Sequence, residues 1–224
     1  MPKIGTLANA ASQTFDLSYL PQFIQIAEPD LDFNITSLNI QARGRSIINL
    51  SAAAQIETLF KLENQVIAAG ASTDLARRLM LAMGRIEGQT TITAVNSAAT
   101  TPDVFANSLG KNTLNNMARS VAVSPVVASG NNGFKNFDVI YMLPTNVERV
   151  DVQYANDFVE SLTPEELAGN YAATHPSEAD GYVNGFVVID GYRATIPEFR
   201  VVRATVYAKA GGNVDVVVCN WQNI

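Results

Sequence analysis

One cysteine, Cys219, stands in 224 residues, so no disulfide can form within the chain. A single histidine, His175, leaves no histidine pair for a metal and only one imidazole base. Charged residues make up 16% of the chain, against a usual share of roughly 25%. So few charges imply a surface that is largely neutral or covered by protein neighbours. The net charge is −6, which excludes a broad basic face for nucleic acid phosphates. Arg77, Arg78 and Arg85 form the one small basic cluster. They read as a solvated face with snorkelling side chains, the alternative being local contact with phosphates or lipid headgroups. No apolar run approaches the ~20 residues of a membrane span. Residues 1–11 hold one lysine and no continuous apolar core, so no signal peptide is expected there.

Catalytic patterns are missing as well. There is no GxSxG, no P-loop and no GxGxxG. Asp30 with Asp32, or Glu178 with Asp180, could lend oxygens to calcium, but loop carboxylates of this kind are common. The triplets at Asn34 and Asn49 match the glycosylation pattern and carry little weight without a secretory signal. Cys219, in mid-strand, reads as a small buried hydrophobe. The only tryptophan, Trp221, reads as core or interface rather than as a sugar platform.

What is present is alternation. In residues 137–154, Phe137, Val139, Tyr141 and Leu143 share one side of a pleat, and Val150, Val152 and Tyr154 return with the same period. Pro144, Thr145 and Asn146 supply a turn between them. A helix start follows, with Thr163 as N-cap, Pro164 in the first turn and Glu166 completing a capping box. Leu162 and Leu167 can form a hydrophobic staple across that start. The expectation is a hairpin followed by a helix.

The same order occurs at residues 35–62. Leu38 and Ile40 alternate with Asn39 and Gln41, Arg43-Gly44 turns the chain, and Ile47, Ile48 and Leu50 return. Ser51 is the N-cap candidate, and Ile56, Leu59, Phe60 and Ile67 form the apolar stripe of the next helix. The order of elements repeats although few residues do, so residues 35–63 and 138–171 are expected to superpose.

Elsewhere, residues 1–12 read as an arm. Strands are expected at 14–19, with Phe15 and Leu17 on one side, and at 23–26. Leu75 and Leu79 fit a helix within 65–84, and 87–95 alternates as a strand. Residues 96–120 read as the linker between halves, with a short helix near 103–109, and 121–127 as a strand. Asp190-Gly191 signals one late hairpin, and Gly211-Gly212-Asn213 a second, joining 199–208 to 214–221. That last strand is apolar on both faces: Val214, Val216 and Val218 on one, Val217, Cys219 and Trp221 on the other. A strand of this kind is usually buried on both faces. Val217 and Trp221 are therefore the candidates for packing between halves or between chains. Two eight-stranded sandwiches fit the length if the connections are short.

Three stretches resemble the double jelly-roll major capsid proteins of icosahedral, membrane-containing bacteriophages, most closely the compact corticovirus type. They are QTFDLSYL followed by ITSLNIQARGRSIINLSAAAQIETLFKLEN; FDVIYML with VERVDVQYANDFVESLTPEEL; and the ending GGNVDVVVCNW. The resemblance implies a mainly β chain of two jelly-roll β-sandwiches side by side, each with a short helix. It places an arm at 1–12, a first roll at 13–110 and a second at 111–224. It implies a structural, non-enzymatic virion protein without cofactor. Three chains would form a pseudo-hexagonal capsomer, and capsomers would tile a shell around an internal membrane. Partners would be further copies, neighbouring capsomers, that membrane and minor capsid or vertex proteins, with no sequence-specific nucleic acid. The protein would be made in the host cytoplasm and reside in the virion. A viral spike or lectin-like β-sandwich that binds carbohydrate or a receptor is the alternative from another class.

Overall fold

The computed structural model describes residues 2–21, 23–27, 35–64, 78–82, 84–97, 101–107, 117–128, 132–191 and 200–223. The chain divides into two units, 1–122 with 221–224, and 123–220.

The first unit is built from β1 (Lys3–Thr6), β2 (Ser12–Leu20), β3 (Phe23–Ala27), β4 (Ile35–Ala42), β5 (Arg45–Leu50), α1 (Ala53–Asn64), β6 (Arg78–Ala82), β7 (Gly84–Asn96) and β8 (Asp103–Ala106). Its sheets run β1-β8-β3-β6 and β2-β7-β4-β5. Successive strands mostly fall in opposite sheets, which buries one side of each strand. Ile24, Ile26, Leu38, Ile40, Leu50, Ile92, Ala94 and Val104 are fully buried. Ile56 and Leu59 of α1 are buried too. In β2, Gln13, Phe15, Leu17 and Tyr19 form the less exposed side.

The strand β9 (Met117–Val127) crosses from the first unit into the second. Its Val121 lies parallel to Ile48 of β5. Then come β10 (Gly133–Lys135), β11 (Val139–Met142), the 3-10 turn Pro144–Asn146, β12 (Val147–Tyr154), β13 (Val159–Leu162), α2 (Pro164–Thr174), β14 (Val187–Asp190), β15 (Val201–Ala208) and β16 (Asn213–Asn223). The sheets run β14-β11-β16-β9 and β10-β15-β12-β13. The core collects Val126, Phe137, Ile140, Met142, Val150, Val152, Leu162, Leu167, Val187, Val206 and Val216.

The two topologies are one. Adding eight to each strand number of the first unit gives the corresponding strand of the second, and each helix follows the fifth strand. In jelly-roll lettering B to I, both units have a B-I-D-G sheet and a C-H-E-F sheet, so each is an eight-stranded jelly roll. The described residues form sixteen strands, the number that two eight-stranded sandwiches need.

Several expectations change in detail. The segment at 137–154 is not a hairpin: β11 pairs with β14 and β16, whereas β12 pairs with β13 and β15. The turn at Pro144–Asn146 carries the chain from one sheet to the other. The hairpin that precedes the helix is β12–β13, so the repeat aligns β4-β5-α1 with β12-β13-α2, one strand later than the pattern suggested. The same correction applies to 199–208 and 214–221, since β15 and β16 lie in different sheets. In a jelly roll only the strands E and F are both consecutive and adjacent within one sheet, so turn signals elsewhere mark crossings.

The stretch expected to be helical at 65–84 contains the strand β6, paired with β3; 65–77 and Met83 lie outside the described residues. The apolar run Leu79-Met80-Leu81 satisfies both periods. The helix expected near 103–109 is the strand β8. The arm expected at 1–12 contains β1, paired with β8, and the boundary expected at 110/111 falls at 122/123. At α1 the carbonyl of Ala52 accepts the Ile56 N–H, so Ala52 is the N-cap, not Ser51. Ser51 contributes its backbone N–H, which donates to Gln55 Oε1 at 2.9 Å. Ile67 and the Phe60 side chain lie outside the described residues.

Other local readings hold. Arg43 (φ 49°) and Gly44 (φ 75°) form the two-residue turn between β4 and β5, with both residues left-handed. Thr163 Oγ1 accepts the Glu166 N–H at 3.3 Å, and the Thr163 N–H donates to Glu166 Oε2 at 2.8 Å. The Thr163 N–H and the Thr163 hydroxyl, which donates to the same Oε2 at 3.1 Å, hold the Glu166 carboxyl below its usual range.

Candidate assembly surface

The outer face of the second roll's C-H-E-F sheet is built by β12, β13 and β15. Inward residues Val150, Val152, Ala204 and Val206 are buried, so their neighbours Arg149, Asp151, Gln153, Thr205 and Tyr207 face out. Arg149 and Tyr207 are register partners, and the guanidinium sits 3.8 Å from the ring centroid. Asp151 and Ser161 are register partners as well, and the hydroxyl donates at 2.7 Å. Burial tends to raise Asp151. The hydroxyls of Ser161 and Tyr207 and the Arg149 guanidinium outweigh it and hold the carboxyl below its usual range.

One end of this face is apolar. The β12–β13 loop, 155–158, is held by the Asp157 N–H donating to Tyr154 O, by Asp157 at φ 65°, and by the Phe158 N–H donating to Asn156 Oδ1 at 3.1 Å. Fixing the loop this way presents Phe158, 56% exposed, and Val159, 51% exposed. Phe158 stacks on Tyr154 with centroids 6.0 Å apart. Tyr154 Oη donates to Glu160 Oε2 at 2.9 Å. Burial, with the Glu160 bond and charge behind it, pushes the Tyr154 hydroxyl up to about 12. Val202 on β15, another exposed apolar residue, sits at the register shift next to Gln153.

The sequence-predicted residues fall apart. Val217 has no exposure in the single chain and pairs with Tyr141 across β16–β11, so it offers nothing to a second chain. Trp221 is 47% exposed. Both faces of β16 are covered at Val214, Val216, Val217 and Cys219, as the alternation indicated. Phe158 and Val159 were not singled out. Their signal is Asn156-Asp157, a turn pair between residues of strand type.

Of the calcium candidates, Asp30 and Asp32 lie outside the described residues, and Asp180 Oδ1 accepts the Tyr182 N–H at 3.1 Å. Among the described residues no three metal-ligating side chains cluster. Arg77, and the side chains of Arg78 and Arg85, are not among the described parts. No helix among the described residues is long and apolar enough to cross a membrane. His175 caps α2, stacked on Tyr171 at 3.9 Å, with Asp190 4.0 Å from its Nε2.

The fold is that of the double jelly roll, two eight-stranded rolls in one chain. Among solved structures it is similar to the major capsid protein P2 of bacteriophage PM2, with a TM-score of 0.55 and 11% identity, covering 96% of this chain and 92% of that one. The major capsid protein of STIV gives 0.60 at 7% identity, covering 99% and 94%. The atomic structure of Sulfolobus Turreted Icosahedral Virus gives 0.57 at 8% identity, covering 97% and 88%. No protein-family profile matches the chain, and no curated protein does.

Proposed function

We propose that the chain is a structural virion protein, the major capsid protein of an icosahedral virus. One observation carries this reading: an identical jelly-roll topology occurs twice, and the pair is matched nearly end to end by viral capsid proteins. Sheets with covered cores and outer faces knit by cross-strand pairs make rigid blocks, which is what a shell requires. The chain acts by shape and carries out no reaction. Two rolls per chain and three chains supply the six blocks of a pseudo-hexagonal capsomer, and capsomers tile a shell around an internal membrane. Trp221 belongs to the contacts between chains in this reading.

Native mass spectrometry and negative-stain microscopy of the purified protein test it. The expected result is a trimer of hexagonal outline, with subunit contacts of roughly 2,000 Å² or more. A monomer at micromolar concentration overturns it.

The carbohydrate- or receptor-binding alternative has one observation in its favour, the exposed Phe158 beside Asn156 and Asp157. Those two polar side chains are engaged inside the loop, Asn156 by the Phe158 N–H and Asp157 by Gln153 Nε2 at 3.4 Å, which counts against it.

A further inference from the structure

The repeat leaves two strand edges unequal to their counterparts. In the first roll, the outer edge of the F strand β5 is met by β9, parallel to it at one register pair, Ile48 opposite Val121. In the second roll, the F strand β13 pairs with β12 on one side and ends its sheet on the other among the described residues. The B strands show the converse. The B strand β9 has β16 on one side and pairs with β5 and with the start of β7 besides, whereas β1 has β8 alone among the described residues.

We propose that the open edge of β13 is completed by β1 of a second copy of this chain, laid parallel to it as β9 lies along β5. The proposal rests on the self-assembling reading above and names the contact that reading needs.

Three observations choose this occupant. First, the repeat relates β13 to β5 and β1 to β9, so the pair missing from one chain is β13 with β1, and only another copy can supply it. Second, the edge is able to pair. The Tyr154 N–H donates to Phe158 O, and hydrogen bonding alternates along an antiparallel strand, so the N–H and C=O groups of Val159 and Ser161 point away from β12. Such a row of unpaired backbone groups is a template for another strand. Third, Phe158 and Val159, the two most exposed of the large apolar residues described, sit at the start of this strand. The contact joins different surfaces of the two copies. Repeated, it generates a ring or an open helix, and a ring of three uses the β1 edge and the β13 edge of each copy once.

The test uses the full chain carrying Pro2→Cys and Val159→Cys together, treated with a short bis-maleimide. Cys219 is buried and stays silent. The expected product on a denaturing gel is a ladder ending at a covalent trimer. As a control for folding, chains carrying only one of the two cysteines should cross-link to a dimer when mixed and not when treated separately. Trimers in solution that yield no such cross-link overturn the β1–β13 contact and leave the capsomer reading standing. An absence of any oligomer, with melting unchanged from the parent chain, overturns both.

Discussion

The two rolls share one topology and differ in what their outer faces are made of. Both carry a hydroxyl donating to a carboxylate, Thr91 to Asp16 at 2.8 Å in the first and Ser161 to Asp151 at 2.7 Å in the second. Beside it the first sets neutral pairs, Thr14 with Thr93 at 3.0 Å and Asn39 with Asn49 at 3.4 Å, and the second sets a cation over a ring, Arg149 over Tyr207. The interiors differ too. Where β4 and β5 place Ile40 opposite Ile48, β12 and β13 place Val152 opposite Glu160. Ile48 is buried beside Val121. Glu160 is part-exposed at an edge that no described strand covers, where a carboxylate can keep some water while it accepts the Tyr154 hydroxyl. Topology is thus indifferent to the pairs that decorate it, and the pairs follow whether an edge is covered.

The largest expected contrast between the rolls lies in two left-handed glycines. A Cβ on Gly181, at φ 74°, would stand 1.9 Å from the Ala168 carbonyl of α2, whereas one on Gly44, at φ 75°, meets nothing within 4 Å. Gly44→Ala should lower stability by about 1–2 kcal/mol, the conformational term alone. Gly181→Ala adds a backbone clash and should lower it by about 2–5 kcal/mol in all. Denaturant unfolding checks both, and equal losses would show that the loop following α2 yields to make room.

A smaller contrast separates the helix starts. Thr163→Ala removes a side-chain cap and should destabilise the second roll by about 1 kcal/mol. Ser51→Ala keeps the backbone donor that Gln55 uses and should change stability by less than about 0.5 kcal/mol. Equal effects in thermal melts would mean that the Ser51 hydroxyl also serves its helix.

The smallest expected effect is confined to alkaline solution. The Tyr154 hydroxyl is raised from 10.0 to about 12 in the folded chain. Its contribution is therefore complete below the unfolded value and is lost as pH rises from about 10 to about 12. Tyr154→Phe should flatten the fall in stability across that window, with no counterpart in the first roll's β4–β5 hairpin. An unchanged slope would assign the alkaline loss to other groups.

Local signals survived translation into structure because they need no distant partner. The Thr163–Glu166 box, the Arg43-Gly44 turn and the alternation along β4 and β12 are each settled within a few residues. Partners were the illegible part. Phe137 to Leu143 and Val150 to Tyr154 have the periodicity of a hairpin, yet they pair with strands as far off as β16. Alternation tells which side of a strand is apolar and nothing about its neighbour. Four-residue strands such as β1, β8 and β13 were missed because two apolar positions make no pattern. For the same reason the open edge of β13 and its exposed Phe158 were invisible. The two-faced strand points to Val217, and burial inside the chain answers that pattern without a second subunit.

The pairing of β1 with β8 sets a timetable for synthesis. Lys3 lies opposite Phe105, and Thr6 opposite Asp103, with the Lys3 ammonium 2.6 Å from the Asp103 carboxylate. Once made, β1 must wait for β8, about 100 residues further on. At typical translation rates of about 5–20 residues per second, that delay is roughly 5–20 s. Throughout it β1 has no partner in its own roll, and β3 lacks the central strand it shares with β1. Nascent chains on polysomes would then stand close together with first-roll edges bare, in the interval when strand exchange between neighbours competes with closure.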